Sequence, residues 1–301
     1  MLSRYTLKQL REDFPDDQAC FDWLVSYLYP EGFLCVNCGT TPHYKIKGRR
    51  AFACGVCGHH LYPLAGTIFA HSRLPLTDWF HAIWMMSANK AGTSAMQIMR
   101  ELGCTYNAAW RMMHAIRSMM TDEEPFEGEV EIDETFVHPN VYKRSSARKK
   151  YGFTGMRRGA VLFGITERGG RAKIVHVPTA GARVLRKQIK KDVKPGTLIH
   201  SDGYLAYRAL PQMGYEHRWT DHSKREYYRE DSYTQNIENL WSHLKRGIKG
   251  VYRHVDPNYL QLYANEYAWR YSHRHNKVLF WNLLEATAFL PFSSRPSSKY
   301  L

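Results

Sequence analysis

The spacing of apolar residues changes near residue 125, and with it the kind of element the chain predicts. Upstream, "LTDWFHAIWMMSANK", "TSAMQIMRELG" and "CTYNAAWRMMHAIRSMM" between residues 76 and 120 read as helices. Thr93 or Ser94 caps the second of these, and Gly103 breaks it from the third. Downstream, "EVEIDETFV", "AVLFGITER" and "AKIVHVPT" alternate as strands. "ARVLRKQIKKDV" then reads as a helix, "GTLIHSDGY" as a fourth strand ending in an acid, and "YEHRWT" as a fifth. In "SYTQNIENLWSHLKRGIKG" the helical period returns: Ile237, Trp241, Leu244 and Ile248 form an apolar stripe. Glu238, Ser242, Lys245 and Lys249 share a neighbouring face.

Residues 1–30 predict a short helical lead-in, with Phe21, Trp23, Leu24, Tyr27 and Leu28 available for packing. Between lead-in and helices, "HYKIKGRRAFAC" reads as a hairpin that turns Lys45, Lys47, Arg49 and Arg50 outward. The Met-rich stripe of Met85, Met86, Met96, Met99, Met112 and Met113 reads as core. Three antiparallel strands, a helix, another strand and a helix make an α/β order that fits an RNase H-like fold. Residues 250–285 look helical and aromatic, and "SSRPSSKYL" is a polar tail. No internal repeat is visible.

Charge narrows the partners. Lys and Arg total 42 against 28 Asp and Glu, a formal net charge of +14 with an isoelectric point near 9.5, which suits a polyanion and nucleic acid first. An anionic membrane is the second candidate, but the chain has no apolar run of roughly 18 residues and no signal pattern at "MLSRYTLKQLREDF". A cytoplasmic protein without membrane attachment is expected.

Four of the six cysteines stand as Cys35-x2-Cys38 and Cys54-x2-Cys57, the spacing of two knuckles that present thiolates to one tetrahedral Zn²⁺. Gly39 and Gly58 directly follow the second cysteine of each pair and permit the positive-φ turn that a knuckle needs. His43, His59 and His60 are close in sequence, though four cysteines already fill a structural site. Cys20 and Cys104 have no partner pattern and read as small buried residues. The expected organisation is a helical lead-in over 1–30, a zinc ribbon over 31–72, a helix-turn-helix region over 73–123, an α/β domain over 127–285 and a polar tail over 286–301. In the helix-turn-helix reading, Thr105, Tyr106, Asn107 and Arg111 lead the recognition helix, and an ordinary helical bundle is the alternative on pattern alone.

The α/β part carries the candidate chemistry. Asp133 lies mid-strand in an apolar frame, Asp202 ends a strand before a glycine, and Glu238 starts the basic helix. In an RNase H-like sheet the first and fourth strands are neighbours, so these acids converge at one edge. Converging carboxylates repel, and cations neutralise them. Two Mg²⁺ ions would do so while activating a nucleophilic oxygen and stabilising the leaving oxygen of a phosphodiester. By alternation Glu129 and Glu131 share Asp133's strand face and Glu134 takes the other, so pattern alone does not choose among them. Lys245 and Lys249 would hold a DNA strand, and the loop from Lys143 to Arg158, with Arg148, Lys149, Lys150, Arg157 and Arg158, would track phosphates.

Together, "EIDETFV", "LIHSDGYLAY", "TQNIENLWSHLKRGIKGVYRHV" and "CVNCG…CGVCGHHLYPLAGTIF" resemble the bacterial insertion-sequence transposases of the ISXO type, which join an N-terminal zinc ribbon to a DDE core and are related to the eukaryotic Merlin transposases. The resemblance runs from about residue 15 to 277. It implies a retroviral integrase-like RNase H core in which Asp133 in "IDE", Asp202 in "SDG" and Glu238 in "NIE" are the catalytic acids and hold Mg²⁺ or Mn²⁺. Some members are described with Asn as third ligand, which draws Asn236 into view. Also implied are binding of terminal inverted repeats, cleavage at the element's ends and joining of 3′-OH ends to target DNA. A homodimer on DNA follows from the need to join two ends. An RNase H-like nuclease or resolvase without strand transfer, and a domesticated DNA-binding protein, are the alternatives.

Overall fold

Helix starts in the first part of the chain are set by short polar side chains. The computed structural model describes residues 5–137, 159–220 and 234–289. Thr6 forms a reciprocal capping box with Gln9 at α1 (Leu7–Asp13), and Asp16 accepts from the Ala19 amide at α2 (Asp17–Leu28). The helix α3 (Leu76–Ala88) follows a three-stranded antiparallel ribbon of β1 (His43–Lys45), β2 (Phe52–Cys54) and β3 (His60–Leu61). Ser94, not Thr93, caps α4 (Ala95–Leu102), because the Thr93 hydroxyl is buried and donates to the Met85 carbonyl. Gly103 ends α4 at φ 65°, a left-handed conformation cheap only for glycine, and Thr105 caps α5 (Tyr106–Ser118).

Among the described residues, those through Met119 form one compact unit with those from Asn276 to Phe289, and those between Met120 and His275 form the other. In the first unit Phe14, Phe80 and Phe280 build an aromatic core, with Phe14 and Phe80 centroids 4.6 Å apart. Met85, Met86, Met112 and Met113 are buried as the stripe predicts, whereas Met96 is exposed. The carboxy-terminal α9 (Leu279–Phe289) differs from expectation. Placed with the α/β domain by the sequence reading, it packs on α2 and α3, where Phe280 stacks on Tyr5 at 4.6 Å. A helix this rich in apolar residues gives no signal of which core it joins.

The second unit is a five-stranded mixed sheet. β4 (Glu129–Val137), β5 (Ala160–Glu167) and β6 (Ala172–Val177) run antiparallel in sequence, and β7 (Leu198–Asp202) and β8 (Glu216–Thr220) lie parallel to β4 on its other side. In space the order is β6-β5-β4-β7-β8. α6 (Ala182–Asp192) covers one face, burying Leu185 and Ile189 against Val130, Ile132, Phe163 and Ile165. α7 (Gln235–Gly247) and α8 (Leu260–Ser272) cover the other, where Ile237, Trp241, Leu244 and Ile248 are all buried, matching the predicted stripe. Trp241 comes so close that a Cβ at Gly164 of β5 would lie 2.6 Å from its ring, which explains a glycine in mid-strand. The edge strand β6 is blunted by α8: Gln261 accepts from the His176 amide at 2.7 Å and Ser272 from that of Ala172 at 2.9 Å.

Candidate active site and zinc centre

The ribbon's cysteines converge as their spacing predicts. Sulfur atoms of Cys35, Cys38, Cys54 and Cys57 all lie within 4.8 Å of one another, and none is in a disulfide. Gly39 and Gly58 turn at φ 70° and 73°, and their amides bond the Cys35 and Cys54 carbonyls at 2.8 and 3.0 Å. The Thr40 hydroxyl, helped by the amides of Cys57 and Val56, draws the Cys54 thiol down to about 5. Four sulfurs at these distances fit one tetrahedral Zn²⁺, with the acidified thiol ready as a thiolate. His43 stands outside the group, its Nδ1 bonded to the Thr41 carbonyl. The hairpin's basic edge is only partly free: Lys45 pairs with Asp22 at 3.3 Å and Arg50 with Asp17 at 2.6 Å, both on α2. Lys47 and Arg49 point outward as expected.

Among the described residues this is the only group of three or more His, Cys, Asp or Glu that approach so closely. Asp133, Asp202 and Glu238 therefore do not close to that distance, but the sheet brings the first two together. The parallel register Glu131↔His200 runs on toward Asp133 and Asp202, so both acids look out on the face that α7 covers. Burial, then the Glu134 charge, then that of Asp202 push the Asp133 carboxyl up to about 7, against the hydrogen bond it accepts from Trp241 Nε1 at 2.8 Å. The Tyr204 amide donates to Asp202 Oδ1 at 3.1 Å, fixing that carboxylate in the turn after β7. Glu238 is exposed in the first turn of α7, three residues before Trp241, with Thr234 Oγ1 at 3.4 Å.

The neighbouring acids are differently engaged. Glu129 meets Arg168 at 2.5 Å and His200 Nε2 at 2.8 Å. Glu131, wholly buried, accepts from the first turn of α7. Glu134 points to the opposite face and accepts from the buried Tyr207 hydroxyl, with burial raising its carboxyl and the Asp202 charge raising it further. Among the described residues neither Lys nor Arg forms an ion pair with Asp133, Glu134 or Asp202. Local sequence carried no signal for Tyr207, and although Glu131 and Asn236 stood out in it, their pairing did not, because each of the three acts through a partner more than 70 residues away.

The candidate DNA contacts are distributed over both units. Tyr106, Asn107 and Arg111 are exposed on α5, while the Thr105 hydroxyl is occupied in capping the Ala108 amide. Lys245 and Lys249 are exposed, but Lys249 sits in a π-helical turn (Ile248–Tyr252) after α7, so it does not continue the face of Lys245 with ideal helical spacing. Arg148, Lys149, Lys150, Arg157 and Arg158 lie outside the described residues. No helix among the described residues is long and apolar enough to cross a membrane.

Comparison with known proteins agrees with this division. Residues 125–272 match the ISXO2-like transposase domain family, and residues 15–60 match the transposase zinc-ribbon domain family. A protein of the transposable element ISH50 from Halobacterium salinarum is 22% identical over 249 residues, covering 78% of this chain and 84% of its own. A transposase-like protein of Haemophilus influenzae is 26% identical over 103 residues, 34% of this chain and 82% of its own. Among solved structures, the Mos1 strand transfer complex aligns over 69% of this chain and 77% of its own at 9% identity, but a TM-score of 0.22 gives that alignment no weight. With one family match over the sheet unit and a second over the ribbon, the chain belongs to the ISXO2-like transposases with an amino-terminal zinc ribbon.

Proposed function

We propose that the chain is a DNA transposase that binds the terminal inverted repeats of its element, cleaves at the ends and joins the freed 3′-OH to target DNA at Asp133, Asp202 and Glu238. The observation that carries this reading is the Asp133 and Asp202 pair, which shares one sheet face, with the Asp202 charge adding to the upward push on the Asp133 carboxyl, and has no Lys or Arg ion pair among the described residues. The strand order β6-β5-β4-β7-β8, three antiparallel strands followed by two parallel ones, supports an RNase H-like core. That Glu129 and Glu131 are committed to other partners supports Asp133 as the acid of that strand that serves the site.

Hard divalent cations take oxygen ligands, and the buried Asp133 carboxyl, beside Asp202 on one sheet face and without a Lys or Arg ion pair among the described residues, fits Mg²⁺ or Mn²⁺ by its chemistry. When bound there, such ions activate an attacking oxygen and stabilise the leaving oxygen of a phosphodiester. The chain's own residues prepare that site. Trp241 fixes the rotation of the Asp133 carboxylate, the Tyr204 amide fixes that of Asp202, and α7 brings Glu238 to the same face. Burial of Asp133 strengthens every charge interaction around it. Lys245 and Lys249, beyond Glu238, supply phosphate contacts, and the basic stretch 143–158 adds more. On α5, whose start Thr105 caps, Tyr106, Asn107 and Arg111 would meet a DNA groove as the second helix of a helix-turn-helix. Since transposition joins two ends, a homodimer on DNA is the working assembly.

The test is a Mg²⁺-dependent reaction on DNA carrying the element's flanking repeats, with a supercoiled target, comparing wild type with Glu238→Gln. Joined products that disappear in the variant while DNA binding persists are expected. Cleavage without joining makes the protein a nuclease, and unchanged biological activity in Glu238→Gln makes it a DNA-binding module.

A further inference from the structure

The helix that carries Glu238 does not cap itself. Thr234 stands at its N-cap position and makes no side-chain capping bond. The cap comes instead from Glu131, a residue of β4 that is 0% exposed. Its Oε2 accepts from the amides of Asn236 and Ile237 at 3.0 and 3.1 Å, and its Oε1 from Asn236 Nδ2 at 2.7 Å. Arg168 Nε lies 3.9 Å from Oε1, and Arg168 is itself held by Glu129 at 2.5 Å.

A local Ser or Asp would satisfy a helix terminus at the surface. A wholly buried carboxylate carries a desolvation cost that a local cap avoids, and in return it joins two elements far apart in sequence. The join falls at a particular place. Glu131 is two residues before Asp133 on the strand, and its partners Asn236 and Ile237 directly precede Glu238 on the helix. Four residues after Ile237, Trp241 returns to bond Asp133 at 2.8 Å. Glu238 thus lies between two ties that run from its own helix to the strand of Asp133.

We infer that Glu131 and Asn236 form a dock that sets the position of Glu238 relative to Asp133, making both positioning residues for the divalent-metal site. This rests on the reading of Asp133, Asp202 and Glu238 as the metal-binding acids. It also assigns the Asn236 side chain: its amide nitrogen donates to Glu131, so Asn236 orients the helix and Glu238 is left as the helix's ligand.

The test measures three properties of Glu131→Gln, Glu131→Ala and Asn236→Ala: DNA affinity, Mn²⁺ binding by electron paramagnetic resonance, and joining at graded Mn²⁺. Groups that hold metal ligands in place cost about 10–100-fold in metal affinity or activity when removed. Glu131→Ala is expected to weaken Mn²⁺ binding within that range while DNA affinity is kept. Glu131→Gln, which retains an oxygen for the two backbone amides and pairs with Asn236 after its amide flips, is expected to recover most of the loss. Thr234→Asp added to Glu131→Ala supplies a local cap; it is expected to restore helix stability without restoring Mn²⁺ affinity. Recovery of both would show that Glu131 only stabilises the helix. Unchanged Mn²⁺ affinity in Glu131→Ala would overturn the inference outright. If Glu131→Ala does not fold, Asn236→Ala decides: an unweakened Mn²⁺ site there overturns the dock. Glu238→Gln runs beside them, and if it binds Mn²⁺ and joins DNA normally, the reading of the acids fails, whatever the Glu131 variants do.

Discussion

Asp133→Asn is expected to stabilise the metal-free protein while abolishing its chemistry. In the fold the Asp133 carboxyl is lifted from its ordinary 3.8 to about 7, first by burial and then by Glu134 and Asp202. The protonated form is therefore favoured in the folded chain. Below pH 4 both folded and unfolded states hold the proton and the residue contributes nothing. Between pH 4 and 7 the unfolded chain releases it first, so stability falls as pH rises, and above 7 the penalty is complete. At roughly 1.4 kcal/mol per pK unit the penalty approaches about 4 kcal/mol, an upper bound because water reaches part of the half-buried side chain. Asparagine removes the charge and keeps an oxygen for the Trp241 N–H. At roughly 2–4 °C per kcal/mol for a domain of this size, the variant should melt several degrees higher at pH 8. The assay is thermal unfolding at pH 5 and pH 8 with and without Mg²⁺, using no chelator, which would strip the ribbon. The gap should be wide at pH 8, small at pH 5, and narrowed by Mg²⁺, which stabilises only the wild type. An equal gap at both pH values, or a less stable variant at pH 8, would mean that the Asp133 charge carries no folding penalty.

Three further predictions concern other parts of the molecule. Purified protein should carry one zinc per chain, and Cys54→Ser should lose it together with the ribbon's structure; full zinc in that variant by metal analysis would exclude the four-cysteine site. Replacing Lys245 and Lys249 by Ala should lower the slope of log affinity against log salt by about 1.8 if both meet phosphates, while an unchanged slope removes them from the interface. Tyr207→Phe takes the hydroxyl donor from Glu134 and should cost about 1–3 kcal/mol in unfolding free energy at neutral pH; no loss in a denaturant titration would show that water replaces the donor.

Alternation made the sheet legible: "EVEIDETFV", "AVLFGITER" and "AKIVHVPT" each fall on a strand of the structure. The stripe Ile237, Trp241, Leu244 and Ile248 likewise announced the buried face of α7. Cysteine spacing was sufficient for the ribbon because both knuckles are local. What stayed hidden depends on distant partners. Glu129, Glu131 and Asp133 are equivalent by alternation, and only the approach of Arg168, His200 and the α7 terminus separates them. The pairing of Lys45 and Arg50 with α2 and the placement of α9 on α2 and α3 are tertiary facts of the same kind. The π-helical turn at Ile248–Tyr252 breaks the ideal period that would have kept Lys249 beneath Lys245.

Three acids from two strands and a helix are proposed to make one divalent-metal site. Anomalous diffraction from crystals grown with Mn²⁺ tests it most directly. Manganese is expected between Asp133 and Asp202, with Glu238 completing the ligand set and Glu131 still bonded to the amides of Asn236 and Ile237. Manganese bound away from Asp133 and Asp202, or a site that excludes Glu238, would contradict it.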